Sequence, residues 1–368
     1  MRQPTLPHNN HLNQGAPTMK QIKLHRLFIV ALVALTALLP AQAALVKLQE
    51  TTTEVYQRRG LEHLNARRYA EAIEAYKEAI RLQPNSWIAY TNISTAYIYL
   101  GKFQEGIDAA RQAITLNEKN AVAYNNLGYG LLQAGHTREA IEPLKQAVLL
   151  DDKDVRAHLN LGSAYQLSGR YAEALNAYKE VIRVKPNEAE GYDAVGDMYV
   201  ALGQNKEAAE IFKQETQVKP DEVRAYGKLG TILMRMGEYA DAINAFKEVV
   251  RLNPESVQGH SSLGEAYSRS GQHARAIETL KNLVQLRPNE PGTHNNLGMA
   301  YRMARRYDEA VIAYKQAIAL KPDYADAQYG LGLSYLWLGN REAAQEQYNV
   351  LKTLDPDKAA DLLKEMNK

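Results

Sequence analysis

The sequence predicts an all-α fold, a solenoid of paired antiparallel helices, and three observations carry that prediction. A unit of thirty-four residues, typified by 155–188, returns along the chain with no insertion or deletion, and a fixed period of this length marks a repeat architecture. Each unit holds two stretches of helical apolar spacing, separated in most units by a glycine. A proline near the end of most units punctuates the series, at positions 84, 186, 220, 254, 288, 322 and 356, with Glu118 and Asp152 in the two remaining places.

Taken in order, residues 1–18 are polar, rich in Pro, Asn and His, and read as disordered or as an extension upstream of a start at Met19. From Met19 the pattern changes. Lys20, Lys23 and Arg26 form a basic opening, residues 27–39 are apolar apart from Thr36, and Pro40 precedes Ala41-Gln42-Ala43. That layout predicts a secretory signal peptide over 19–43, cleaved after Ala43, and a periplasmic or secreted product. The alternative is an uncleaved anchor holding the chain at a membrane. A spanning helix needs about twenty apolar residues, and this run stops short at a proline. Residues 44–52 form a lead-in.

Nine copies are expected next, at 53–86, 87–120, 121–154, 155–188, 189–222, 223–256, 257–290, 291–324 and 325–358. In the fourth, Ala157, Leu161, Ala164, Tyr165 and Leu167 fall at helical spacing. Gly169 supplies the left-handed residue that commonly closes a helix. Arg67 and Arg305 take its place in the first and eighth copies. Leu175, Tyr178, Val181, Ile182 and Val184 then share one face of a second helix. Pro186 ends it, lacking an amide proton and clashing with the preceding turn. Asn187 and its equivalents Asn85, Asp221, Asn289, Asp323 and Asp357 are candidate caps for the helix that follows.

Gly162 and Ala174 recur in almost every copy and mark where the two helices come close; Ser94 and Gly106 are the exceptions. Pro143 falls inside the second helix of the third copy, and an interior proline costs about 3 kcal/mol, so a kink or an early-turn placement is expected there. Each hairpin has an apolar face that only a stacked neighbour can bury. No linker interrupts 53–358, which predicts one continuous stack. At its ends, Arg59 and His63 make the first copy more tolerant of water, and residues 359–368 form an amphipathic capping helix.

The motif of an aromatic ring, then Leu161-Gly162, Tyr165, Ala174, Tyr178 and Pro186, resembles the tetratricopeptide repeat, and the resemblance covers 53–358. It implies a right-handed superhelix whose first helices line a concave wall, with repeat places 2, 5, 6, 9, 12 and 13 facing inward. Place 6 reads Arg58, Asn92, Asn126, Asn160, Ala194, Lys228, Ser262, Asn296 and Gly330. Its asparagines resemble the ladder in the repeats of O-GlcNAc transferase, where amides hold an extended polypeptide by its backbone. A carboxamide carries a donor and an acceptor and can satisfy a peptide unit reciprocally. Three rungs at about 0.5–1.5 kcal/mol each fall short of the roughly 8 kcal/mol of micromolar binding, so side-chain contacts must supply the remainder.

Those contacts divide along the groove. Leu61, Leu64, Ile88, Ile98, Tyr99, Val122, Tyr129 and Leu132 form an apolar wall in the early copies. Glu190, Asp193 and Asp197 make an acidic step in the fifth, and Arg224, Met234, Arg235, Arg269, Met299, Arg302 and Met303 follow, with Trp337 near the far end. An extended partner is expected to lay an apolar segment on the early copies and an acidic one on the sixth to eighth. The competing reading is that individual apolar residues here pack between neighbouring helices.

Charge balance, the absence of cysteine and the place of the histidines narrow the function further. Removal of residues 1–43 takes away Arg2, Lys20, Lys23 and Arg26 and no acidic residue, leaving 40 basic against 42 acidic side chains. A near-neutral chain offers no electrostatic case for nucleic acid. The chain has no cysteine, which excludes disulfides and thiol-linked lipid. His158, His260 and His294 share one repeat place with Tyr56, Tyr90, Tyr124, Tyr192 and Tyr226, which points to packing rather than ligation. No nucleotide loop, hydrolase elbow or metal motif stands in a credible setting. The expectation is therefore a protein-interaction scaffold without catalytic residues, cofactor, metal or small-molecule substrate. A structural or assembly subunit of a cell-envelope complex is the alternative.

Overall fold

The computed structural model describes residues 52–368, with the isolated positions 19, 42, 45 and 47; the predicted signal peptide and the segment before it lie outside the described residues. Among the described residues every regular element is an α-helix, and none is long and apolar enough to cross a membrane.

Two compact units make up the chain, one ending at Gly135 and the other running from His136 to Lys368. The first contains α1 (residues 52–65), α2 (Tyr69–Leu82), α3 (Trp87–Tyr99), α4 (Phe103–Leu116) and α5 (Ala121–Gln133). The second contains α6 (Thr137–Leu150), α7 (Val155–Leu167), α8 (Tyr171–Val184), α9 (Ala189–Ala201), α10 (Asn205–Val218), α11 (Val223–Met236) and α12 (Tyr239–Leu252). It continues with α13 (Val257–Arg269), α14 (His273–Leu286), α15 (Pro291–Met303), α16 (Tyr307–Leu320), α17 (Ala325–Trp337), α18 (Arg341–Leu354) and α19 (Pro356–Met366). Where the sequence predicts an unbroken stack, this division falls inside the third copy. The helix that opens the second unit, α6, is also the only described one with an interior proline. Pro143 is its seventh residue, so the early-turn placement does not hold, and the amide missing there leaves the Glu139 carbonyl without its usual helical donor.

Within each unit, consecutive helices pack against one another. The core of the first unit is built from Ala72, Ile73, Tyr76, Ala79, Ala89, Ile93 and Ala96. A longer one in the second unit runs from Ala208 and Phe212 to Leu331. At Gly60, Gly162, Gly196, Gly230 and Gly298 the repeated glycine of the first helix makes room for a ring on the second helix, and at Gly264 for the Leu280 side chain, not for its backbone. A Cβ on Gly162 would lie 2.4 Å from Tyr178 Cε1, and one on Gly196 would lie 2.3 Å from Phe212 Cε1. The second copy solves the same contact in reverse. Ser94 replaces the glycine and Ala110 the ring, and Ser94 Oγ donates to the Gly106 carbonyl at 2.7 Å. Gly106 in turn leaves space for Ile98, whose Cγ1 lies 2.6 Å from where a Cβ would stand.

Helix ends follow the periodic signals with two corrections. The closing residues have left-handed backbones, including Arg67 (φ 57) and Arg305 (φ 58). After Arg67 and Arg305 the next amide bonds back to the helix, Arg68 N to the His63 carbonyl and Arg306 N to the Tyr301 carbonyl, both at 2.9 Å. The caps stand one residue later than expected. Ser86, Asn120, Asp154 and Ser256 accept from amides of α3, α5, α7 and α13, whereas Glu188, Glu222, Glu290 and Tyr324 make no side-chain cap. The two copies without proline end their second helix at the equivalent position. There Asn117 and Asp151 each accept from the amide two residues on, at 3.1 Å, a local turn that competes with helix. The final helix starts at Pro356, not at Ala359, because Asp355 caps it and proline suits its first position. Asp357 therefore lies inside a helix. Ala359, Leu362 and Met366 cover α17 and α18 with Leu333, Ala344 and Leu351.

Candidate partner-binding groove

The first helices of successive hairpins touch each other: α3 with α5 in the first unit, and α11 with α13, α13 with α15, α15 with α17 in the second. Second helices do not approach one another to that extent among the described residues. First helices therefore form the inner wall of each unit.

Three places on this wall have recurrent roles. At place 4, His158, His260 and His294 donate from Nε2 to the carbonyls of Asp152, Pro254 and Pro288 at 2.9, 2.9 and 2.7 Å. Tyr192 and Gln328 do the same to Pro186 and Pro322 at 3.0 and 3.2 Å. At these five copies the place-4 side chain thus ties the first helix to the turn before it. At place 13, an exposed side chain meets the place-17 residue of the preceding copy. Tyr99 stacks on Tyr69 at 5.4 Å, Trp337 stacks on Tyr307 at 5.9 Å, and Arg269 bonds to Glu265 at 2.8 Å while reaching toward Tyr239.

At place 6 the predicted ladder residues turn inward on the chain itself. Asn126 Nδ2 donates to the Thr91 carbonyl at 3.1 Å and to Thr95 Oγ1 at 2.8 Å. Asn296 Nδ2 donates to Ser261 Oγ at 2.9 Å. Lys228 Nζ reaches Asp193 at 2.5 Å and Asp197 at 2.7 Å. In each case place 6 of one copy grips place 5, place 9 or both in the copy before. Asn92 is half-buried beside the Tyr76 hydroxyl, which burial pushes up to about 12, and Asn160 is also engaged.

The other predicted positions separate clearly. Leu61, Ile88, Tyr99 and Val122 are exposed on the first unit, and Tyr129 is half-buried. Ile98 is a core residue at 5% exposure, filling the space over Gly106, so it does not belong to the groove. Arg224 pairs with Asp193 at 3.0 Å while staying largely exposed. Arg302 lies half-buried against Tyr314, whose phenol is raised by burial and drawn back by the guanidinium. Arg235 is exposed and forms no ion pair among the described residues.

The polar residues concentrate on α9, α11 and α13, where they line a cavity of about 440 Å³. Val200, Phe212, Val223, Ile232, Phe246 and Val249 give it an apolar floor, and Arg224, Lys228, Arg235 and Asp197 stand around the rim. Lys228 lies 5.4 Å over the Phe212 ring. Burial opposes its charge, but the bonds to Asp193 and Asp197 hold its ammonium above the usual lysine range. Beside this node lies a residue that the helical spacing did not single out. Glu215 is fully buried, and neither carboxylate oxygen has a partner. Its column, place 27, otherwise reads Ala79, Ala113, Ala147, Val181, Val249, Leu283, Ala317 and Leu351.

Hairpins of this period, stacked by their first helices around a lined groove, define a tetratricopeptide-repeat protein. The model of the cilia and flagella-associated protein 70 C-terminal domain matches residues 18–260, and the chain belongs to that family. Tetratricopeptide-repeat models also match 233–297, 306–339 and 326–364. Among solved structures, the C-terminal part of a repeat-containing protein from Cytophaga hutchinsonii is similar, with a TM-score of 0.54 and 17% identity. That likeness covers 75% of this chain and 99% of that one, and it supports the fold. PilF of Pseudomonas aeruginosa matches at 18% identity and TM-score 0.49, covering 59% and 99% of the two chains. MamA matches at 25% identity and TM-score 0.43, covering 47% and 94%. No curated protein sequence matches the chain.

Proposed function

We propose that this chain is an exported scaffold that holds an extended segment of a partner protein along the inner wall of its first helices. The observation that carries this reading is the α9–α11–α13 groove, an apolar floor with the exposed Arg224 and the unpaired Arg235 at its rim. Such a groove suits an apolar anchor followed by acidic residues. The exposed Leu61, Ile88, Tyr99 and Val122 support a second, apolar contact on the first unit. Because Asn126, Asn296 and Lys228 already serve the chain's own stacking, the side chains around the cavity carry more of the binding than an asparagine ladder. The near-neutral balance after residue 43 favours protein over nucleic acid as the partner, and the layout of 19–43 supports export without cofactor or substrate chemistry.

Fluorescence anisotropy with labelled peptides tests the groove. Peptides carrying an apolar anchor and a downstream acidic run should bind more tightly than charge-reversed ones. Arg235→Glu should lower that affinity at least tenfold with the helical circular dichroism unchanged. Equal affinity for both peptide sets would defeat the reading. Mass determination on protein recovered from the exporting cell tests the leader. A chain beginning at Ala44 supports cleavage, and an intact leader in the membrane fraction assigns the anchor.

A further inference from the structure

Glu215 stands where every other copy buries an aliphatic side chain. That column packs on place 3 of the following copy: a Cβ on Gly191 would lie 3.0 Å from Val181 Cγ1, and one on Gly259 would lie 2.8 Å from Val249 Cγ1. By the same register Glu215 of α10 meets Ala225 of α11, itself fully buried. The carboxyl thus occupies the buried joint between the α9–α10 and α11–α12 hairpins, with both oxygens unpartnered. The charged groups that face it are Asp193 on α9, Lys228 and Arg224 on α11, and Glu222 in the intervening turn. The two cations are already committed to Asp193 and Asp197. An ionised carboxylate at this point would therefore be buried without a counterion of its own, which is strongly unfavourable.

We propose that Glu215 makes this joint a proton-dependent device: neutral, it packs as the aliphatic residues of its column do, and ionised, it opens the joint and disturbs the groove above it. Burial first, and the Asp193 charge second, lift the carboxyl from 4.5 to about 7. A raised acid binds its proton more tightly in the closed joint than in the open one. Closure is therefore favoured at low pH and weakens as pH rises from about 4.5 through about 7, with no further loss above that. Between pH 6 and pH 8 those two values correspond to an approximately tenfold rise in the open population. The effect on the groove rests on the partner-binding reading above, since Lys228 and Phe212 belong to both the joint and the cavity lining.

Hydrogen–deuterium exchange of the α10 and α11 amides, corrected for intrinsic chemistry, measures the opening without any partner. In the full chain, exchange should rise about tenfold from pH 6 to pH 8, and in Glu215→Leu or Glu215→Gln it should stay level. The leucine occurs naturally in this column at Leu283 and Leu351, so that variant keeps the fold. The same pH dependence in full chain and variants would overturn the proposal. Anisotropy with the acidic peptide forms the second arm: affinity should fall from pH 6 to pH 8 in the full chain and hold steady in Glu215→Leu. If exchange follows Glu215 while no acidic peptide binds at either pH, the device stands and the groove reading fails.

Discussion

Gly162→Ala tests why a glycine recurs in the first helix. Helix propensity alone favours alanine by about 1 kcal/mol, so the substitution would stabilise α7 if packing were indifferent. The added Cβ, however, would lie 2.4–2.7 Å from three atoms of the Tyr178 ring. That ring is 4% exposed, and its hydroxyl is pinned by bonds to Gln166 at 2.9 Å and Ser163 at 3.2 Å. It cannot retreat without losing them. Overpacking costs about 1–3 kcal/mol, and the strained hydroxyl adds about 0.5–1.5 kcal/mol per bond. After the propensity gain, the net loss is about 3 kcal/mol, or a midpoint lowered by roughly 6–12 °C for a unit of this size. Thermal and urea unfolding of Gly162→Ala, Tyr178→Ala and the double variant would measure it, with a coupling of about 1 kcal/mol or more expected between the two sites. A single variant as stable as the parent, or additive effects in the double, would refute the ring-clearance argument.

Two further outcomes follow from local geometry. Asn126→Ala removes the donor to the Thr91 carbonyl and Thr95 and should destabilise the first unit by about 1–2 kcal/mol, read from exchange protection of the α3 and α5 amides. Arg305→Gly releases a side chain from a left-handed backbone (φ 58) and should raise the unfolding midpoint of the second unit by a few degrees, corresponding to about 1 kcal/mol; a lowered midpoint would show that Arg305 contributes more through its side chain than it costs in strain.

Whatever recurs at every thirty-fourth residue was legible before any coordinates. The helix pairs, the left-handed turn residues including Arg67 and Arg305, and the packing role of His158, His260 and His294 all rest on columns that the order of residues alone displays. The caps were missed by one residue because the capping side chain depends on which residue of the turn has extended backbone, and Asn85 and Ser86 offer equal chemistry in sequence. Place 6 reads in sequence as facing a guest because its inward direction is periodic, while its partners at places 5 and 9 sit 31 or 35 residues away and depend on the stacking offset. Glu215 was missed for a different reason. Within α10 alone an acidic residue reads as a solvated position, and only the comparison with Val181, Val249 and Leu283 exposes it as an apolar site.

The grip that place 6 takes on the preceding copy differs from joint to joint. Asparagine meets threonine in one, lysine meets two aspartates in another, asparagine meets serine in a third. Outwardly similar modules are thereby keyed to particular neighbours and cannot be shuffled. Exchanging the third copy with the sixth would set an ammonium against two hydroxyl-bearing residues and strand Asp193 and Asp197 opposite an amide. The order of the modules is written into the chain by these mismatched locks, and a recombined version with the same helices would assemble poorly.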